Sequence, residues 1–179
     1  MIFGERIRFR GVEQEDLAVF IKWINDPEVL QGIGIYLPQS TLDEQDWFDK
    51  MRLRPPEERN FSIDAKEITQ AEETWKLIGS CGFFNFDYRT ASTEFGIMIG
   101  DKAYWNRGFG TEAVRLFARH GFNTLNLNRI YLRVLETNPR AIRAYEKAGF
   151  VHEGRQRQAD FKDGKLIDLL VMSLLHSEF

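Results

Sequence analysis

Between Thr93 and Phe122 the apolar period of the sequence changes once, at a pair of glycines. Thr93 to Gly100 alternates, with Phe95, Ile97 and Ile99 on one face, which is the period of a strand. A loop from Asp101 to Arg107 and the turn Gly108-Phe109-Gly110-Thr111 follow. Then Ala113, Val114, Leu116, Phe117 and Ala118 recur at helical spacing, with Glu112, Arg115 and Arg119 turned to water. Glycines opening a helix leave its first N–H groups uncovered by any Cβ. Those groups have no partner inside the helix, and the helix dipole makes that end positive. The pattern therefore predicts an anion site, most naturally for phosphate, at the end of a central strand.

The rest of the chain builds a sheet around this unit. Glu5 to Arg10 reads as a half-buried strand, and Leu17, Phe20, Ile21 and Ile24 place a helix over about Gln14 to Asn25, ended by Asp26-Pro27. Asp26 to Ser40 is irregular yet mostly apolar, the signature of a segment that packs under something or lines a pocket. Thr41 with Glu44 makes a capping-box pattern for the next helix. Asn60 to Lys66 and Lys76 to Phe86 read as strands around a solvated tip at Glu67 to Thr74 and, with the central strand, imply an antiparallel meander. Arg129 to Leu135 is a strand, Asn138 to Ala148 a helix capped by Asn138 with Pro139 first, and Phe150 to Arg155 and Leu166 to Leu174 are closing strands. The expectation is an α+β fold over residues 1–179 as one domain, a mixed, mostly antiparallel sheet of about seven strands with four helices.

Composition narrows the partners. A formal charge of -3 offers no basic face for nucleic acid, and no apolar run reaches a membrane span. Cys81 is the single cysteine and sits among Gly82, Phe83 and Phe84, so it reads as a core residue in a reducing, cytoplasmic protein. His120, His152 and His176 show no ligand spacing, so no metal is expected.

Gly108 to Ala113 also fits the dinucleotide fingerprint G-x-G-x-x-A, with Glu136 as its ribose acid. Against that reading, seven residues separate the strand from the glycines, and the strands before it look antiparallel. The second helix supplies a different partner. Asn138-Pro139-Arg140-Ala141-Ile142-Arg143-Ala144-Tyr145-Glu146-Lys147-Ala148-Gly149-Phe150 stands in the pattern N-x-x-A-x-x-x-Y-x-K-x-G-F. Together with Trp105-Asn106-Arg107-Gly108-Phe109-Gly110, it resembles the GNAT family of acetyl-CoA-dependent N-acetyltransferases, in particular the ribosomal-protein N-terminal and spermidine acetyltransferases. The resemblance covers nearly the whole chain. One departure stands out: Trp105 occupies a place where the family often has Gln or Arg, so a polar contact is missing.

The resemblance implies how these residues would act. The turn from Arg107 through Gly108, Phe109 and Gly110 to Thr111 would hold the coenzyme pyrophosphate on its N–H groups, with Arg107 adding charge. The central strand would splay from its neighbour, so that Ile97, Met98 and Ile99 line the donor and an N–H near Met98 holds the thioester oxygen. Asn138 would contact the pantetheine arm besides capping its helix, with Ala141 beside it. Tyr145, seven residues on, lies on the same helix face about 10 Å further along the axis, placed to return a proton to the leaving thiolate. Glu94 or a water path would deprotonate the amine. Arg140, Arg143 and Lys147 meet the ribose phosphate or form a solvated face.

Acceptor choice is expected from Asp26 to Trp47, where Asp26, Glu28, Asp43, Glu44 and Asp46 would suit a polyamine or a basic protein N-terminus; an aminoglycoside or an amino-acid-like amine also stays open. A non-catalytic acyl-CoA sensor is the alternative class. Edge strands near the C-terminus allow a homodimer.

Overall fold

The computed structural model describes residues 1–68 and 72–179. Thirteen helices and strands follow one another: β1 (Ile2–Phe3), β2 (Ile7–Gly11), α1 (Leu17–Ile24), α2 (Pro27–Leu30), α3 (Thr41–Arg52), β3 (Phe61–Ile68), β4 (Glu73–Asp87), β5 (Ser92–Ile99), α4 (Phe109–Asn123), β6 (Arg129–Leu135), α5 (Pro139–Lys147), β7 (Val151–Lys162) and β8 (Lys165–Leu175). All eight strands join one sheet in the order β1-β2-β3-β4-β5-β6-β8-β7. Every pairing is antiparallel except that of β5 with β6. One parallel pair cannot make a doubly wound dinucleotide fold, which removes that reading of the glycines.

The core forms where α4 lies on the sheet. Phe117, at the middle of α4, meets Phe83 at 4.2 Å, Phe95 at 5.1 Å, Phe9 at 5.6 Å and Phe61 at 5.7 Å between ring centroids, so one side chain bonds the helix to four strands. Cys81 is buried in this core, and burial pushes its thiol well above the usual range.

The count exceeds the expected seven strands and four helices by one each. β1 has two residues, too few to show a period. Asp26-Pro27 ends α1 but also starts α2, because the Asp26 carboxylate accepts from the N–H groups of Glu28 (2.9 Å) and Val29 (3.4 Å) and Pro27 sits at the first helical position. The box on α3 is set one residue earlier than expected. Ser40 Oγ accepts from the Asp43 N–H at 3.2 Å, and the Asp43 carboxylate accepts from the Ser40 N–H at 2.7 Å. Glu44 is thereby released from capping. β7 continues to Lys162 instead of stopping near Arg155; its residues are exposed along almost the whole strand, so no alternation marks it. The expected tip at Glu67 to Thr74 falls partly on residues 69–71, outside the described residues; Ile68 and Glu73 close its stem as a β3–β4 pair.

Two features open the sheet at its centre. The β5–β6 pairing stops at Glu94 opposite Tyr131, so the strands part from there. On the other side β4 carries a bulge at Ile78, where the register against β3 shifts between Ile63 and Asp64. Gly79 follows the bulge, and a Cβ there would press into the Met98 carbonyl oxygen, a main-chain atom with little room to yield. Gly79→Ala is expected to lower stability by about 2 kcal/mol, read as a lower urea midpoint, with loss of activity beyond the loss of folded protein.

Candidate active site

The gap between β5 and β6 opens into a cleft of about 230 Å³, walled by β5, the start of α4 and one face of α5. Gly108 caps α4 at φ +85°, a left-handed conformation that glycine adopts without strain. Gly108, Gly110 and Thr111 line the cleft at the positive end of α4. Ile97, Met98 and Ile99 line it from the strand, and Asn138, Ala141, Arg143, Tyr145 and Lys147 from α5. Two expected binders do not. Phe109 is buried and packs edge-on against Tyr104 at 5.0 Å, because its side chain anchors the first turn of α4 in the core. Arg107 donates to the Ala103 carbonyl at 3.1 Å and lies over the Tyr104 and Phe109 rings, which draw its guanidinium out of the cleft. Val29, Gly32 and Ile33, from the apolar segment expected to line a pocket, and Trp105 and Asn106, from the first motif, also line it; sequence reasoning passed over Tyr104, Val114 and Ala144.

Strand alternation decides which main-chain groups face the gap. The Gly100 N–H donates to Ile78 of β4 at 2.9 Å, and the Met98 carbonyl also lies on the β4 side, against Gly79. The Ile99 carbonyl turns the other way and accepts from the Trp105 indole at 2.6 Å. Residues one apart on a strand present their N–H groups to opposite edges. Met98 therefore faces β4, and Ile97 and Ile99 face the gap. The expected position at Met98 thus faces β4, and beside it the Ile97 N–H faces the gap.

Asn138 caps α5 by accepting from the Ala141 N–H at 3.1 Å, and its Nδ2 donates to the Gly32 carbonyl at 3.2 Å. One amide N–H is thus already spent on the 26–38 segment, leaving the other for a ligand. Tyr145 is buried in the cleft wall, and its hydroxyl has no hydrogen-bond partner among the described residues. Burial holds its phenol well above the ordinary value of 10. Glu94 sits where β5 and β6 part. It is not the open strand residue that alternation alone implies: it is buried, accepts from Arg133 Nε (2.7 Å) and Nη2 (3.2 Å), and accepts from Asn85 Nδ2 at 2.9 Å. The carboxylate in turn raises the pKa of the Arg133 guanidinium. Three donors occupy Glu94, and it lines neither the cleft nor its neighbour.

That neighbour is a second cavity behind β5, under α1, α3 and the 26–38 segment, walled by Phe20, Ile24, Ile35, Trp47 and Phe84 among others. The two cavities share Ile33, Ile97 and Met98, so they meet across the central strand. The segment over them is tied down at several points. Asn25 closes its stem, donating from Nδ2 to the Gln39 carbonyl (2.8 Å) and accepting from the Gln39 N–H (3.0 Å). Lys162, at the far end of β7, donates to the carbonyls of Leu30 and Ile33. Of the five acidic residues expected to choose the acceptor, Asp26 and Glu28 are engaged by Lys102 at 2.8 and 3.0 Å, Asp43 is engaged by Ser40, and Asp46 is exposed outside the cavity. Of the five, Glu44 alone faces the second cavity without a partner among the described residues, 8% exposed, and burial raises its carboxyl above the ordinary value of 4.5.

An extended, thiol-bearing arm with phosphates at one end fits such a gap, and the class this defines is the acyltransferases that draw on coenzyme A thioesters. Residues 6–151 match the family model described as an acetyltransferase (GNAT) domain, so the chain belongs to the GNAT acetyltransferases and takes its acetyl group from acetyl-CoA. It is 32% identical to an uncharacterized N-acetyltransferase, p20, of Bacillus licheniformis, over 99% of this chain and 97% of that one. It is 29% identical to a spermidine N(1)-acetyltransferase of Vibrio cholerae, over 98% and 96% of the two chains. The crystal structure of spermidine N-acetyltransferase from Vibrio cholerae in complex with CoA and spermine superposes with a TM-score of 0.85 at 26% identity, covering 98% of each chain.

Proposed function

We propose that this N-acetyltransferase acts on a primary amine of a polyamine of the spermidine type. The observation that carries this reading is Glu44: an unpaired carboxylate in an otherwise largely apolar cavity that meets the donor cleft at Ile97 and Met98. An ammonium group of the acceptor would supply the missing counter-charge, while aliphatic spacers suit Phe20, Ile24, Ile35 and Trp47. The spermidine acetyltransferases among the relatives support the same acceptor class.

In the step this predicts, the neutral amine nitrogen attacks the thioester carbon and the carbonyl electron pair moves to oxygen, where the Ile97 N–H receives it. The carbon–sulfur bond then breaks, the carbonyl re-forms, and Tyr145 gives its proton to the departing thiolate. The proton lost by the amine leaves through water, because Glu94 is occupied by Arg133 and Asn85. The tyrosinate recovers a proton from solvent. A cytoplasmic setting suits this reading, and the described residues contain no helix long and apolar enough to cross a membrane. The exposed edge of β7 is the strand a second copy would use for pairing.

Thiol release from acetyl-CoA tests the acceptor. Spermidine and spermine are expected to accelerate it, while peptides beginning with Ala or Ser and an aminoglycoside leave it at background. Acceleration by the peptides and not by the polyamines would replace a polyamine with a protein N-terminus as the acceptor.

A further inference from the structure

Arg140 reads in the sequence either as a ribose-phosphate contact or as part of a solvated helix face, and Trp105 as a lost polar contact. In the structure they are one unit. The Trp105 ring is fixed by its indole bond to the Ile99 carbonyl, and the Arg140 guanidinium carbon lies over the ring, 3.4 Å from its centroid. Both line the donor cleft.

This placement is electrostatically costly. Arg140 is the second residue of α5, where the helix dipole is positive and a cation is disfavoured. It is half-buried and has no ion pair or hydrogen bond among the described residues, and burial pulls its pKa down with only the charge of Glu28 opposing. Stacking holds a partly desolvated cation at the start of α5, in the cleft that the start of α4 also lines, and among the described residues no ion pair neutralises it. An anion in the cleft would.

We infer that Arg140, held on Trp105, is a binding residue for the coenzyme A pyrophosphate, closing from the α5 side the phosphate site that the Gly108–Gly110 turn forms from the α4 side. The polar contact absent at position 105 is thus restored through a neighbour, with the tryptophan as its platform. The inference rests on the donor cleft being the acetyl-CoA site.

Calorimetric titration with CoA and with 3′-dephospho-CoA, which keeps the pyrophosphate, tests it. Arg140→Gln is expected to weaken both ligands about tenfold, with the deficit shrinking as salt is raised. Trp105→Leu is expected to weaken both by a similar factor, and the double variant to be no weaker than either single one. Thermal melts of the free proteins establish that the variants fold. A wild-type protein that binds neither ligand would overturn the assignment of the cleft itself. Wild-type binding with an unchanged Arg140→Gln variant would overturn the role of Arg140 alone. A deficit seen with CoA but not with the dephospho form would move Arg140 to the 3′-phosphate and overturn the pyrophosphate assignment, and additive losses would overturn the platform role of Trp105.

Discussion

Tyr145→Phe is expected to lower kcat by about 100-fold while leaving the affinity for CoA within twofold. The substitution removes one oxygen and keeps the ring, which packs on Phe150 at 6.0 Å, so the α5 surface and the donor cleft keep their shape. Among the described residues the hydroxyl has no hydrogen-bond partner that its loss would leave unpaired. Because burial holds the phenol above its ordinary value, it carries its proton throughout the neutral range, as a group that must donate to a thiolate requires. Steady-state rates at saturating amine and acetyl-CoA, set beside calorimetric CoA binding, separate the two quantities. An unchanged kcat would take Tyr145 out of the chemistry.

Glu44→Gln is expected to raise the acceptor KM about 30-fold, equivalent to roughly 2 kcal/mol, with kcat at saturation nearly retained. The same change should stabilise the free protein at neutral pH. The sign follows from burial, which raises the Glu44 carboxyl in the folded state above its value of 4.5 in the unfolded chain. Between those two values the native state holds the extra proton, so stability falls as pH rises through the window. At pH 7.5 burial of the carboxyl carries a cost that glutamine lacks, and below pH 4 the difference should vanish. Thermal melts at the two pH values read this directly. A variant less stable than wild type at pH 7.5 would mean that Glu44 has a partner in the free protein and is not waiting for an amine.

Those two side chains differ in how far the sequence revealed them. Tyr145 sits in a helical motif whose spacing from Asn138 places both on one face, so local geometry suffices. Glu44 was visible only as one of several acidic residues in an acceptor segment. Its singularity depends on what happens to the rest: Lys102, more than seventy residues from either in the chain, engages Asp26 and Glu28, and Ser40 engages Asp43. The turn at Gly108 and Gly110 was legible because glycine at a helix start has a local cause. The main-chain group facing the gap was not, since it is set by the register of β5 on β4, where a single residue reverses the direction of every N–H. The Arg140–Trp105 stack joins two motifs that are 35 positions apart, and neither motif alone implies it.

The bond between Asn25 and Gln39 has a bearing on descent as well as on architecture. It closes the stretch from 26 to 38 into a ring whose ends are already together, so the entropic cost of a longer or shorter ring grows only with the logarithm of its length. Chains of this design can therefore exchange the roof over the second cavity without rebuilding the walls of the first. Acceptor range is the trait most open to drift and to engineering, provided that a replacement ring still offers Asn138 a carbonyl where Gly32 now stands.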